Sequence, residues 1–213
     1  MIDYSVYLVT DRGLCLGRDL MDVVAAAVKG GVTMVQLREK ECDTREFVEL
    51  ARAMKNMLAR AKVPLLINDR VDVALACRAD GVHVGQSDMP VEDVRALLAN
   101  GSGNEKIVGL SVETEEHIQE ARDMPVDYIG IGPVFHTQTK PDACAPWGFS
   151  GLKNARKIWE KPMVAIGSVN QDNAAEIMAC GMDGVAVVSA ICSAPDVEQA
   201  ARQLSHLVRC GKP

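Results

Sequence analysis

One unit recurs eight times along this chain: a short apolar run, then a polar residue, then a stretch with helical spacing. The runs are Val6-Val9, Val32-Leu37, Pro64-Ile67, Gly81-Val84, Ile107-Leu110, Val126-Ile131, Pro162-Ile166 and Gly184-Val188. A parallel strand buried on both faces reads as a continuous apolar run, because neither face meets solvent. Eight such strands, each followed by a helix, are expected to close into a (β/α)8 TIM barrel, a single domain over residues 1–213. In that fold the loops after the strands carry the chemistry. Here those loops hold nearly every polar side chain of interest.

The helical stretches have the matching period. Leu20, Val23, Val24, Ala27 and Val28 share one face, as do Phe47, Leu50, Ala51, Met54 and Leu58. Asp43 and Glu46 have capping-box spacing at the start of the second helix, with Asp in place of the usual Ser or Thr. Asn170 is placed to cap the seventh helix. A joint between helix end and strand start recurs at Lys29-Gly30-Gly31-Val32, Ala79-Asp80-Gly81-Val82 and Met182-Asp183-Gly184-Val185. An open doubly wound sheet is the competing architecture, but it does not need eight near-equal units.

Composition narrows the function classes. A hydrophobic content of 48% supports a real core, and only 4% is aromatic, so that core is Val, Ile, Leu, Ala and Met. The net charge of −6 argues against a nucleic-acid partner without forbidding an anionic substrate, which local Lys and Arg decide. Seven cysteines, Cys15, Cys42, Cys77, Cys144, Cys180, Cys192 and Cys210, include no CxxC pair. They read as reduced thiols of a cytoplasmic protein. Neither they nor the four histidines have zinc-ligand spacing. The first residues, Met1-Ile2-Asp3-Tyr4-Ser5, lack a signal-peptide pattern. No apolar stretch reaches the ~18 residues of a membrane span, so no membrane partner is expected. Self-association is left open.

The strand ends carry the candidate chemistry. Gln36, Arg38 and Lys40 share one side if the second strand stays extended. Arg supplies a planar fork for phosphate oxygens and Lys a compact charge; the bland alternative is a solvated charge cluster. Asp69 ends the third strand and Asp88 follows the fourth. As a pair they suit magnesium, which takes one or two carboxylates and completes its shell with water and substrate phosphate. Singly, each could cap the helix that follows it. Ser111 ends the fifth strand and is assigned at most a hydrogen bond to substrate. The longest connection, about 132–150, has the length of an active-site loop, and its Thr137, Thr139 and Lys140 suit a phosphate or leaving group. Gly167-Ser168 and Ser189 follow strands seven and eight, where this fold builds its phosphate pocket. His136 has no identified partner, His83 packs or hydrogen-bonds inside the barrel, and His117 and His206 look structural.

Several of these segments together resemble thiamine-phosphate synthase, also called thiamine-phosphate pyrophosphorylase. They are Tyr7-Leu8-Val9-Thr10-Asp11, Gln36-Leu37-Arg38-Glu39-Lys40, Ile67-Asn68-Asp69-Arg70, Gly81-Val82-His83-Val84-Gly85-Gln86-Ser87-Asp88, Gly132-Pro133-Val134-Phe135-His136-Thr137-Gln138-Thr139-Lys140 and Gly184-Val185-Ala186-Val187-Val188-Ser189-Ala190-Ile191. The resemblance implies a magnesium-dependent transferase. It would join 4-amino-2-methyl-5-(hydroxymethyl)pyrimidine diphosphate to a thiazole phosphate, releasing diphosphate. It also implies that Gln36, Arg38, Lys40, Asn68, Ser111 and Lys140 contact the pyrimidine diphosphate, with Leu37, Glu39 and Gln138 beside them. Arg38, Lys40, Ser111 and Lys140 would be the catalytic set. Asp69 and Asp88 would hold Mg2+, and Thr137, Thr139, Gly167, Val188 and Ser189 would take the thiazole phosphate. Two departures stand out: the family commonly has Pro at His136 and Gly at Ser168. Three rival readings are a thiazole tautomerase, a non-catalytic paralogue and a sugar-phosphate epimerase. The retained Arg38, Lys40, Asn68, Asp69, Asp88 and Lys140 speak against the first two. The absence of acid–base carboxylates or metal-binding histidines at strand ends speaks against the third.

Overall fold

The computed structural model describes residues 2–101, 106–136 and 145–211. Eight parallel strands pair in chain order, and the last closes on the first. They are β1 (Val6–Val9), β2 (Met34–Leu37), β3 (Leu65–Asn68), β4 (Gly81–Val84), β5 (Ile107–Val112), β6 (Tyr128–Ile131), β7 (Met163–Ile166) and β8 (Gly184–Val187). The helices are α1 (Leu20–Lys29), α2 (Thr44–Ala61), α3 (Val71–Cys77), α4 (Val91–Gly101), α5 (Glu115–Ala121), α6 (Gly148–Ile158), α7 (Ala174–Met178), α8 (Ser189–Cys192) and α9 (Val197–Gly211). α9 packs against α1 and α7 and closes the outer ring. The expected eight-stranded barrel is the observed fold.

The continuous apolar runs resolve into two separate faces. Val6, Leu8, Val35, Leu37, Leu65, Ile67, Val82 and Val84 belong to the layer between strands and helices. Tyr7, Val9, Met34, Leu66, Ile107, Tyr128, Val164 and Ala186 form a second cluster within the barrel. The two-residue alternation is therefore present, but apolar residues on both faces hide it in the sequence.

One small device is repeated around the base of the barrel. Asp80, Asp127 and Asp183 each stand just before an even-numbered strand. Their backbone N–H groups donate to the carbonyls of Leu65, Val108 and Met163, at 2.8, 2.9 and 2.9 Å. Their carboxylates in turn accept the N–H of those same residues at 2.8, 2.7 and 2.8 Å. Each carboxylate also pairs with a cation on the helix that leads into the neighbouring odd-numbered strand: Lys55 on α2 at 2.6 Å, Arg95 on α4 at 2.9 Å and Arg156 on α6 at 3.0 Å. Thr33 plays the same part between β1 and β2, its hydroxyl accepting from Val6 N–H at 3.1 Å. The Asp80-Gly81 and Asp183-Gly184 joints in the sequence are traces of this clamp.

Several boundaries differ from expectation. β2 and β6 begin at Met34 and Tyr128 because Thr33 and Asp127 are occupied by the clamp. Pro64 and Pro162 stay outside β3 and β7, since a proline has no N–H to give and joins only through its carbonyl. β5 runs on to Val112, so Ser111 lies inside the strand rather than ending it. Asp43 does cap α2, accepting from Glu46 N–H at 2.9 Å. Glu46 pairs with Arg12 instead, at 3.2 Å. Asn170 does not cap the seventh helix. It folds a turn ahead of it, accepting from Asp172 N–H at 2.8 Å, and α7 begins later at Ala174.

Candidate active site

The C-terminal ends of the strands surround one cavity of about 1430 Å³. Its floor is polar although it lies deep in the barrel. Tyr7 on β1, Gln36 on β2, His83 on β4, Ser111 on β5 and Tyr128 on β6 point inward from alternating positions. Gln36 Nε2 donates to the Tyr7 hydroxyl at 2.7 Å. The Tyr7 and Tyr128 hydroxyls are 2.9 Å apart. His83 Nδ1 lies 2.7 Å from the Tyr128 hydroxyl, and its Nε2 lies 2.8 Å from Ser111 Oγ. Burial pushes both phenols above their ordinary range. Burial also holds the His83 imidazole down to about 4, partly opposed by the Asp88 charge, so the ring is neutral at pH 7. The Tyr128 ring fits because position 109 is glycine: a Cβ there would stand 2.2 Å from the ring.

The wall at β2, β3 and β4 is charged. Arg38 follows β2, its backbone N–H held by the Thr10 hydroxyl at 3.0 Å. Its guanidinium lies 3.8 Å from Asp11. Lys40 reaches Asp69 at 2.5 Å. Asn68 donates to the other Asp69 oxygen. Asp69 itself has φ +60, and its N–H donates to the His83 carbonyl at 2.9 Å. Asp88 accepts the Gly85 N–H at 2.7 Å. Neither carboxylate caps a helix: α3 begins after Arg70 without a side-chain cap, and Asp88 bonds backwards along the chain.

Burial raises the Asp69 carboxyl, the adjoining Asp88 carboxyl raises it further, and Lys40 opposes them. Two carboxylates in contact repel unless a proton or a cation lies between them. Both offer only hard oxygen donors, with Asn68 beside them. That donor set fits a magnesium ion holding one or two protein carboxylates, and lacks the sulfur or imidazole that softer metals prefer.

The opposite wall is built from backbone. Gly167, Ser168, Val188 and Ser189 line it. Gly167 has φ +106, and a Cβ there would meet Pro133 at 2.7 Å, so glycine is required on both counts. Ser168 also has positive φ and donates to the His136 carbonyl, which ties the two departures from the family pattern to each other. Arg18 supports this wall from below. Its guanidinium donates to the carbonyls of Cys192 and Ala194, both at 2.7 Å. Cys192 is buried against Cys15 and its thiol is pushed up to about 12. The six described cysteines are all free.

Most of the expected site residues meet at this cavity: Gln36, Arg38, Lys40, Asn68, Asp69, Asp88, Ser111, Gly167, Val188 and Ser189. Leu37 does not; it is fully buried in the outer layer, as strand alternation requires of a residue between Gln36 and Arg38. Glu39 turns away to Arg12 at 3.3 Å. Thr137, Gln138, Thr139 and Lys140 lie outside the described residues. The connection holding them runs between Ile131 and Gly148, slightly shorter than expected. Tyr7, Tyr128 and Gln86 line the cavity and were not anticipated as site residues, nor were Thr10 and Asp11 assigned a role. The alternation of inward positions on β1 and β6 was the signal that marks the tyrosines.

Comparison with known proteins points to one family. The family model described as thiamine monophosphate synthase matches residues 6–191. A thiamine-phosphate synthase of Solidesulfovibrio magneticus is 56% identical over 210 residues, 99% of this chain and 98% of that protein. One from Albidiferax ferrireducens is 52% identical, covering 95% of this chain and 91% of that protein. The solved thiamine phosphate pyrophosphorylase from Pyrococcus furiosus is 37% identical and superposes with a TM-score of 0.88, covering 98% of this chain and 96% of that one.

Proposed function

The chain belongs to the thiamine monophosphate synthase family and acts as a transferase of that family; from that premise we propose that it joins 4-amino-2-methyl-5-(hydroxymethyl)pyrimidine diphosphate to a phosphorylated, carboxylated thiazole. The observation that carries this reading is the convergence of Arg38, Lys40, Asp69 and Asp88, from three successive strand ends, on one cavity with a polar floor. Diphosphate departure develops negative charge, and pre-placed cations stabilise it without a general base. Arg38 and Lys40 face that charge, and Lys140 is assigned the same work by the family motif. Gln36, Asn68 and Ser111 orient the pyrimidine.

The carbon–oxygen bond to diphosphate breaks first and its electrons leave with the diphosphate. The thiazole nitrogen then gives its lone pair to the exposed methylene carbon, and the ring carboxylate leaves as carbon dioxide, its bonding electrons staying on the ring carbon, which takes a proton from water. A neutral ring nitrogen carries no proton to remove, and His83, the buried imidazole, is already engaged on both nitrogens. Asp69 and Asp88 would hold Mg2+, which when bound neutralises charge on the departing diphosphate. Gly167, Val188 and Ser189, with Thr137 and Thr139, would receive the thiazole phosphate. The six free cysteines support a cytoplasmic setting.

The test is an assay of the purified protein with both substrates, with and without magnesium. Magnesium-dependent release of diphosphate together with thiamine phosphate is expected. Lys140→Ala is expected to lower kcat far more than it raises the KM for thiazole phosphate. No product, with intact binding of thiazole phosphate, would sink the proposal.

A further inference from the structure

The five floor side chains form one unbroken hydrogen-bonded chain, and each link has a direction. Gln36 Nε2 gives a hydrogen to the Tyr7 oxygen. Tyr7 then has one hydrogen of its own to place, and its other hydrogen-bond partner among the described residues is the Tyr128 hydroxyl. Tyr128, having accepted, passes its hydrogen to His83 Nδ1. A neutral imidazole that accepts at Nδ1 carries its proton on Nε2, the atom facing Ser111 Oγ.

The opposite tautomer fails on the same count. An Nδ1–H would need the Tyr128 oxygen, and Tyr128 would have to donate back to Tyr7. The Tyr7 hydrogen would then lack an acceptor among the described residues, and an unmade hydrogen bond in a buried site is costly. A doubly protonated ring fails identically.

We infer that His83 is a positioning residue that sets the polarity of Ser111. Its Nε2–H fills one lone pair of Ser111 Oγ, so the hydroxyl hydrogen of Ser111 remains to be donated into the cavity. Gln86 fixes the same residue from the other side, its Nε2 donating to the Ser111 carbonyl at 2.6 Å. Ser111 therefore presents a donor beside its second lone pair, and that donor pairs with a lone pair of the substrate: a pyrimidine ring nitrogen or a diphosphate oxygen. With the other tautomer Ser111 would offer lone pairs only. The inference rests on the pyrimidine diphosphate reading for its substrate, but the tautomer belongs to the protein alone.

Two experiments test it. In the ligand-free full-length protein at pH 7, nitrogen-15 NMR of labelled histidines reads each tautomer directly. His83 is identified as the histidine whose signals disappear in His83→Gln. The expected result is a proton on Nε2 alone; a proton on Nδ1, or on both nitrogens, overturns the inference. In steady-state assays, His83→Phe and Ser111→Ala are each expected to lose about tenfold in kcat/KM for the pyrimidine diphosphate, the scale of one lost hydrogen bond. The double variant is expected to be no worse than Ser111→Ala, and His83→Gln, which keeps a donor, to recover part of the loss. Independent, multiplying losses would mean that His83 serves packing alone and would overturn the positioning role. If His83→Phe does not fold, the NMR result decides. If the wild-type protein yields no product at all, the substrate assignment falls while the tautomer measurement still stands.

Discussion

Removing the Asp183 carboxylate should expose what the repeated clamp contributes. Asp183 does two things: it accepts the N–H of Met163, whose residue is fully buried, at 2.8 Å, and it pairs with Arg156 at 3.0 Å. The ion pair is partly solvated, with side-chain exposures of 24% for Arg156 and 43% for Asp183, so water screens it to about 0–1 kcal/mol. The backbone amide is the larger matter, because a buried donor left without a partner costs about 1–3 kcal/mol. Asp183→Ala loses both and should destabilise by about 2–3 kcal/mol, lowering Tm by roughly 5–10 °C for a domain of this size. Asp183→Asn keeps an acceptor for the amide and should cost no more than about 1 kcal/mol. Urea and thermal unfolding of both variants measure the difference, and the matching pairs at Asp80 and Asp127 replicate it. Equal losses for Asn and Ala would place the stabilisation in the ion pair. A loss below about 0.5 kcal/mol for Ala would mean that water replaces the carboxylate at the amide. Either result would refute the reasoning.

Three further outcomes follow from the site. Asp88→Asn should raise the magnesium concentration needed for half-maximal activity by more than about tenfold, since even outer-shell changes cost that much; an unchanged requirement in a magnesium titration would remove Asp88 from the ion. Gly109→Ala should destabilise by at least about 2–3 kcal/mol, because its Cβ would meet the Tyr128 ring at 2.2 Å; wild-type stability in urea would show that the ring moves aside freely. His83 is held near 4, below the ~6.5 of an unfolded histidine, so the unfolded chain binds more protons between those values. Its contribution, up to about 3 kcal/mol, is present above pH ~6.5 and is lost as the pH falls toward 4. The acid-side slope of stability should shrink in His83→Gln, and identical slopes would contradict it.

Much of this was legible before any coordinates. Gln36, Arg38, Lys40, Asn68, Asp69 and Asp88 could be placed on one rim because a parallel barrel sends every strand's C-terminal end the same way. Leu37 and Glu39 were carried along by the motif, and strand alternation and a rim ion pair with Arg12 removed them from the wall. Ser111 looked like a strand terminus because its hydroxyl interrupts an apolar run, yet β5 continues through it, as its side chain faces a polar interior. Asp69 and Asp88 looked equally suited to helix capping. What separates the two roles is where each carboxylate turns, and residue type does not encode that.

The sequence alone determined the number and order of the strands, because burial on both faces leaves an unmistakable apolar run and eight such runs have one compact closure. It also determined which residue types stand at the rim of the cavity, because each motif is local to one strand end. Only the tertiary structure decided the floor. Tyr7, Gln36, His83, Ser111 and Tyr128 come from five strands and up to 121 residues apart, and their chain exists only once the barrel closes. A hydrogen bond depends on distances of a few tenths of an ångström between atoms brought together by the whole fold. A list of residues in order carries no such distance.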